Sequence, residues 1–281
     1  MTTVRGALAD ARARGIALLD AELLLARVLA TTRTALIAGD DRRLAPEEDD
    51  RWSSWLARRA NGEPIAYLLG EKEFHGLVLE VNADVLVLRP ETELVVDWAA
   101  ELIDVASPAA GASAIPAVVD LGTGSGAIAL AIKRLRPAAR VTATDASAAA
   151  LAVARRNAKR IGLAVELVDG SWWAAVEARR FDIAVSNPPY VAAGDPHLAE
   201  LRHEPRAALT PGGDGLGALR TIAAGAPDHL FAGGWLIVEH GFDQGAAVRD
   251  LLAEAGLVAI ETRCDLAGLE RATAGRLTST A

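Results

Sequence analysis

The chain has 281 residues, a formal charge of −8 and 51% apolar residues, which leaves room for two domains at about 150 residues apiece. No apolar run approaches the roughly 18 residues that span a bilayer, and "MTTVRGALADARARG" lacks the apolar core of a signal peptide, so a cytoplasmic protein with no membrane partner is expected. The single cysteine, Cys264, excludes an internal disulfide framework and a cysteine-clustered metal site. The acidic balance, already net negative over residues 1–84, gives no broad basic face for nucleic acid.

Residues 1–60 read as a small helical bundle. "ALLDAELLLARVLA" (17–30) repeats leucines at helical spacing, and "PEEDDRWSSWLARRA" (46–60) opens on proline and acids and closes on arginines. Its run Glu47 to Asp50 is a helix start, where acids favour the macrodipole, rather than a metal site. Two β-prone runs follow, "LVLEV" (77–81) and "VLVL" (85–88), and Asn82-Ala83-Asp84 between them predicts a hairpin turn. A helix is expected from "RPETELVVDWAAELI", then a low-complexity connection, "ASPAAGASAIP" (106–116).

From Ala117 strand and helix alternate: "AVVDL", the helix "GAIALAIKRL", "RVTATD", the helix "SAAALAVARRNAKRI", "AVELV", "DIAVS", a helical segment near 216–230, and "GWLIVEHG". Short Val/Ile/Ala runs between helices of ten or so residues argue for an α/β doubly wound, mostly parallel sheet buried on both faces. The tail stretches "VAIETRCDL" and "RATAGRLTS" are expected to close it as an antiparallel edge pair.

"VVDLGTGSGAIAL" places Gly122, Gly124 and Gly126 between the first of these strands and a helix. Glycine allows positive φ and close backbone approach, and the helix N-terminus behind it offers free N–H groups to a carboxylate or other anion. Asp145 ends the next strand, where its carboxylate can accept from ribose hydroxyls. The loop also satisfies the dinucleotide fingerprint, so an NAD(P)-linked oxidoreductase stays open. Asp120, together with a proline-rich end to a later strand, favours S-adenosylmethionine instead.

That later strand ends in Asn187-Pro188-Pro189-Tyr190. The two prolines stop the strand. The Asn187 side-chain carbonyl and the Pro188 backbone carbonyl are two acceptors for one substrate –NH₂, and Tyr190 can stack on a planar group. Read alone, the motif fits any planar amine, so an adenine-specific DNA methyltransferase is the alternative within the same reaction class. Of the remaining candidates, Trp173 and Glu239-His240 are expected to be structural, the latter pair otherwise lining the substrate cleft, and His75 to be a surface or packing residue.

Six segments in order, "GEPIAYLLGEKEF", "LRPETELVV", "DLGTGSG", "NPPY", "HEPRAALTPGGDGL" and "DLAGLERATAGR", resemble the HemK/PrmC-type peptide chain release factor glutamine methyltransferases over essentially the whole chain. The resemblance implies a Rossmann-like methyltransferase domain on a mostly parallel seven-stranded sheet (91–281). A helical N-terminal domain that docks the substrate (1–72) and a β-hairpin linker (73–90) would precede it. It implies S-adenosylmethionine as methyl donor with no metal. The acceptor would be the glutamine of the Gly-Gly-Gln loop of class 1 release factors, and no direct DNA partner is expected. Carried over by position, the cofactor residues are Gly122, Thr123, Gly124, Ser125, Gly126, Asp145 and Trp172, with Asn187 at the junction of cofactor and substrate. Asn187, Pro188, Pro189 and Tyr190 would hold the glutamine, with Asn187, Pro188 and Tyr190 as the catalytic set. Arg89 to Glu93 would lie near the cofactor's entrance. Where the family has Asp-Trp after the third strand, this chain has Ser171-Trp172-Trp173, with Asp169 earlier. A monomer is expected, since no oligomer signal is evident.

Overall fold

The computed structural model describes residues 2–106 and 115–278. Most of the connection expected at 106–116 therefore lies outside the described residues. Two compact units divide the chain, one ending at Lys72 and one running from Glu73.

Among the described residues the first unit holds five helices, α1 (Val4–Ala13), α2 (Leu18–Val28), α3 (Arg33–Ala38), α4 (Pro46–Ala60) and α5 (Ile65–Leu69). The expected spacing is realised in α2, whose Ala21, Leu24, Leu25 and Val28 are buried, and α4 supplies Trp52 and Leu56 to the same core. At the α4 start the acids act locally: the Glu48 carboxylate accepts the Ala45 N–H at 2.9 Å, one half of a capping box whose other half Ala45 has no side chain to supply.

A hairpin of β1 (Glu71–Phe74) and β2 (Leu77–Glu80) comes next. It sits one strand earlier than the sequence predicts. The turn is His75-Gly76, both at positive φ (+48° and +73°), the backbone that a two-residue hairpin demands. The Asn82-Asp84 turn does form, with Asp84 N–H on Asn82 Oδ1 at 2.9 Å, but residues 85–88 after it pair with no strand. They are held by a side chain from far along the chain, described below.

After α6 (Glu93–Ala106) the alternation runs β3 (Ala117–Leu121), α7 (Ala127–Leu135), β4 (Arg140–Asp145), α8 (Ala148–Ile161), β5 (Glu166–Asp169) and β6 (Phe181–Ser186). It continues through the short α9 (Arg206–Leu209), α10 (Gly217–His229), β7 (Leu230–Glu239), α11 (Gly245–Glu254), β8 (Leu257–Cys264) and β9 (Glu270–Leu277). Two departures from the expected elements stand out. The sequence pattern predicts no helix at α11, and β7 starts at Leu230, ahead of the expected "GWLIVEHG", because "FAGG" is a bulge opposite Phe181–Ile183.

The seven strands order as β5-β4-β3-β6-β7-β9-β8; the first five are mutually parallel, and β9 runs antiparallel between β7 and β8. Alternate residues feed opposite cores, as strand geometry requires. Val118, Ile183, Val185 and Ile237 pack under α6 and α7, and Val119, Leu121, Ala184 and Val238 pack under α10 and α11. With both faces covered, the open end of the sheet is its carboxyl edge. The chain turns to β4 on one side of β3 and to β6 on the other, which opens a crevice there.

Candidate active site

Beyond β3 the chain must reverse into α7 within five residues. Gly122, Gly124 and Gly126 do so at φ of +75°, +57° and +86°. The Gly122 and Thr123 N–H groups both donate to the Thr144 carbonyl at the end of β4 (2.9 and 2.8 Å), which pins the loop to the neighbouring strand. Asp120 braces it from below: the carboxylate accepts from Thr123 Oγ1 at 2.6 Å and from the Ala129 N–H at 3.2 Å. It is wholly buried, and burial pushes its carboxyl up to about 7 against those two bonds. Asp120 therefore shapes the loop rather than facing a ligand.

Asp145, at the carboxyl end of β4, takes the Gly124 N–H on Oδ2 and the Ser147 N–H on Oδ1, each at 2.8 Å. Each oxygen keeps a further lone pair for an outside donor. Burial lifts this carboxyl above the usual range, and the backbone bonds oppose the shift. Trp172 follows β5 at φ +48° and lays its ring on Gly122, where an added Cβ would stand 3.0 Å from the ring edge. Trp173 turns the other way into the core, donating to the Ile222 carbonyl at 2.9 Å and stacking on His229 at 4.8 Å between ring centres.

Between these groups lies a cleft of about 370 Å³. Gly122 to Ser125, Asp145, Trp172, Asn187 and Pro189 line it, together with the apolar Val85, Val87 and Leu88. Of the other expected site residues, Gly126 caps α7 beside Ala154, Pro188 is buried, and Tyr190 packs against the α10–α11 side of the core; none of the three is on the cleft wall. Ser171 reaches the cleft, but Asp169, exposed at the end of β5, does not.

Asn187 leaves β6 with its Nδ2 donating to Thr92 Oγ1 at 3.0 Å. Among the described residues neither Asn187 Oδ1 nor the Pro188 carbonyl accepts a hydrogen bond. Tyr190 donates its hydroxyl to Glu239 Oε1 at 3.3 Å, and Gln244 Nε2 holds the Tyr190 carbonyl at 2.9 Å. Glu239 is 1% exposed with Oε2 unpartnered, and burial pushes its carboxyl up to about 7. His240 is closed in on both sides: the Gly241 carbonyl takes the Nδ1 proton at 2.8 Å, and Thr273 Oγ1 lies 2.8 Å from Nε2. Burial favours its neutral form. The Glu239-His240 pair is structural, as expected. His75 likewise engages Asp97 at 2.8 Å and, through its backbone N–H, Glu93 at 2.8 Å.

Residues 2–70 match the family description "PrmC N-terminal domain" and residues 96–217 "Methyltransferase small domain". The release factor glutamine methyltransferase of Burkholderia pseudomallei is 50% identical over 275 residues, covering 95% of this chain and 94% of that protein. That of Bordetella pertussis is 48% identical over 280 residues, covering 99% and 100%. The chain belongs to the release factor glutamine methyltransferase family. A solved methyltransferase from Pyrococcus furiosus shares the fold at a TM-score of 0.55 and 20% identity, covering 80% of this chain and 99% of that one.

Three residues support this family member's cleft through bonds that no local pattern in the sequence announces. Asn157, fully buried on α8, accepts the Glu80 N–H (2.7 Å) and donates to the carbonyls of Glu80 (3.0 Å) and Ser125 (2.9 Å), tying the hairpin to the glycine loop. Glu204 accepts the Val87 N–H at 2.8 Å and the Arg89 guanidinium at 2.5 Å, fastening the apolar wall of the cleft to "HEPRAAL". Thr92 is the third. Among the described residues no group of three or more His, Cys, Asp or Glu is placed to hold a metal, and no helix is long and apolar enough to cross a membrane.

Proposed function

We propose that this methyltransferase takes the methyl group of S-adenosylmethionine to the side-chain nitrogen of the glutamine in the Gly-Gly-Gln loop of class 1 release factors, in the cytoplasm. The single observation that carries the reading is the pair of unengaged acceptors, Asn187 Oδ1 and the Pro188 carbonyl, at the strand end beside the glycine-loop cleft.

The cleft suits such a donor on its own residues. Ser125 Oγ is buried on the wall without a partner, Asp145 keeps acceptor capacity, and the Trp172 ring lies where any residue but glycine at position 122 would meet it. Gly122 to Ser125 would receive the amino-acid end, Asp145 the ribose hydroxyls, and Trp172 with the Val85–Leu88 wall the flat base. When bound, the sulfonium supplies an electrophilic methyl group.

Asn187 and Pro188 do the rest. A carboxamide nitrogen is a weak nucleophile because its lone pair is delocalised. Two acceptors that take both of its N–H bonds fix it in one orientation and stabilise the positive charge that grows there as the new bond forms. Once methylated the nitrogen is strongly acidic, and its proton needs no dedicated base. We assign the helical unit to residue 72 to docking of the release factor, and residues 91–281 to catalysis.

Asn187→Ala tests the reading. It removes one acceptor and leaves the glycine loop intact, so methyl transfer to a release factor should fall by about 10² to 10³, the cost of one preorganised partner. S-adenosylmethionine affinity, by calorimetry, should change less than fivefold. Near-normal turnover would contradict the role given to Asn187.

A further inference from the structure

We infer that Gly215 and Gln244 are positioning residues: they hold the far end of the Asn187–Tyr190 motif and thereby set the direction of the Pro188 carbonyl, one of the two acceptors assigned to the substrate amide. The inference rests on the methyl-transfer reading above and extends it to the "TPGGDG" loop (210–215).

The motif has little freedom of its own. Proline rings lock φ at positions 188 and 189 and remove both N–H groups, so this stretch is a stiff strut that cannot anchor itself through donors. Where its ends are held decides where its carbonyls point. The near end is the last residue of β6: Ser186 sits in register with Val238, and its Oγ donates to the Leu121 carbonyl at 2.6 Å, directly before the glycine loop.

The far end is held by segments well along the chain. Gln244 Nε2 donates to the Tyr190 carbonyl at 2.9 Å, and Gln244 Oε1 accepts the Gly241 N–H at 2.9 Å. Both partners are backbone groups of fixed polarity, so the Gln244 amide fits one way round only. Beyond Tyr190 the chain lies against residues 209–213, with the Val191 N–H on the Leu209 carbonyl and the Ala193 N–H on the Gly213 carbonyl, both at 3.0 Å. Gly215, at φ +83°, closes the contact: a Cβ there would stand 2.3 Å from the Tyr190 carbonyl oxygen and 3.1 Å from Gln244 Nε2. Only a residue without a side chain lets the loop come this close to the motif. Gly212 has nearly the same backbone, φ +85°, yet a Cβ there meets nothing within 4 Å.

The test compares Gly215→Ala with Gly212→Ala, which carry the same backbone penalty. It adds Gln244→Glu, which keeps the acceptor for Gly241 but, once ionised, offers no N–H to the Tyr190 carbonyl. Methylation of a purified class 1 release factor gives kcat, and calorimetry gives the Kd for S-adenosylmethionine. Gly215→Ala and Gln244→Glu should each lose at least about tenfold in kcat, since a misplacement of about 1 Å costs on the order of 10²-fold. Both should keep the Kd within about twofold of wild type, and Gly212→Ala should stay within about threefold of wild-type kcat. Near-normal kcat in Gln244→Glu would overturn the inference whatever the fate of Gly215→Ala. So would an equal loss in Gly212→Ala and Gly215→Ala, or a Gln244→Glu enzyme whose loss lies in cofactor affinity. A wild-type enzyme that binds the cofactor but is inert toward the release factor would overturn the proposed function and this inference together.

Discussion

Asn157→Ala removes, in one substitution, the only side chain that bridges β2 and the glycine loop among the hydrogen bonds described above. Three bonds of 2.7, 3.0 and 2.9 Å are lost, and the Glu80 N–H and the Glu80 and Ser125 carbonyls lose their partner. At about 1 kcal/mol net for each bond, and with no replacement for a fully buried side chain, the second unit should be destabilised by about 3 kcal/mol. For a unit of this size each kcal/mol moves the melting temperature by about 2–4 °C, so a drop of about 6–12 °C is expected. Differential scanning calorimetry measures it, and amide hydrogen exchange localises it: protection should fall at residues 77–80 and 122–126 before it falls in the sheet. A melting temperature within about 2 °C of wild type would refute the bridging role. So would a loss of protection spread evenly over the unit.

Gly122→Ala should raise the Kd for S-adenosylmethionine at least about tenfold, because φ +75° costs a Cβ-bearing residue about 1–2 kcal/mol and the new methyl meets Trp172; calorimetry showing unchanged affinity would contradict the packing of that ring on the loop. Asp120→Asn should alter the pH dependence of stability. Burial raises this carboxyl from 3.8 to about 7, so its neutral form suits the folded state. The stabilisation is complete below pH about 4, declines up to about 7 and is lost above, amounting to at most about 4 kcal/mol. Asn keeps an acceptor for Thr123 and Ala129 without ionising. The melting temperature of the variant relative to wild type should therefore rise from pH about 5 to about 8, and parallel curves would show that Asp120 does not titrate in this range.

The parts of the fold that sequence reading recovers are those whose signal is local. β3 and β4 begin and end where the β-prone runs "AVVDL" and "RVTATD" do, because a strand buried on both faces favours apolar and β-branched residues. The cleft residues Gly122 to Ser125 and Asp145 were likewise readable from a loop that must turn at positive φ and a strand that must end beside it. The hairpin was misplaced because its first strand, "EKEF", carries three charged residues, and Asn82-Asp84 is a genuine turn that happens not to join strands. Helix α11 starts on Gly245 with no side-chain cap, so nothing local announces it. For a different reason, Asn157 is not singled out by the sequence, and Glu204 and Thr92 stand in the segments "HEPRAALTPGGDGL" and "LRPETELVV" without their supporting roles. Their partners lie 77, 117 and 95 residues away in sequence, and a buried polar side chain shows its purpose only when the backbone it satisfies has been brought to it.

The central claim is the identity of the methyl acceptor. It is tested most directly by transfer of a labelled methyl group from S-adenosylmethionine to a purified class 1 release factor, set beside the same factor with its Gly-Gly-Gln glutamine changed to Ala. Stoichiometric labelling of the first and none of the second is the predicted result, and equal labelling of both would contradict it.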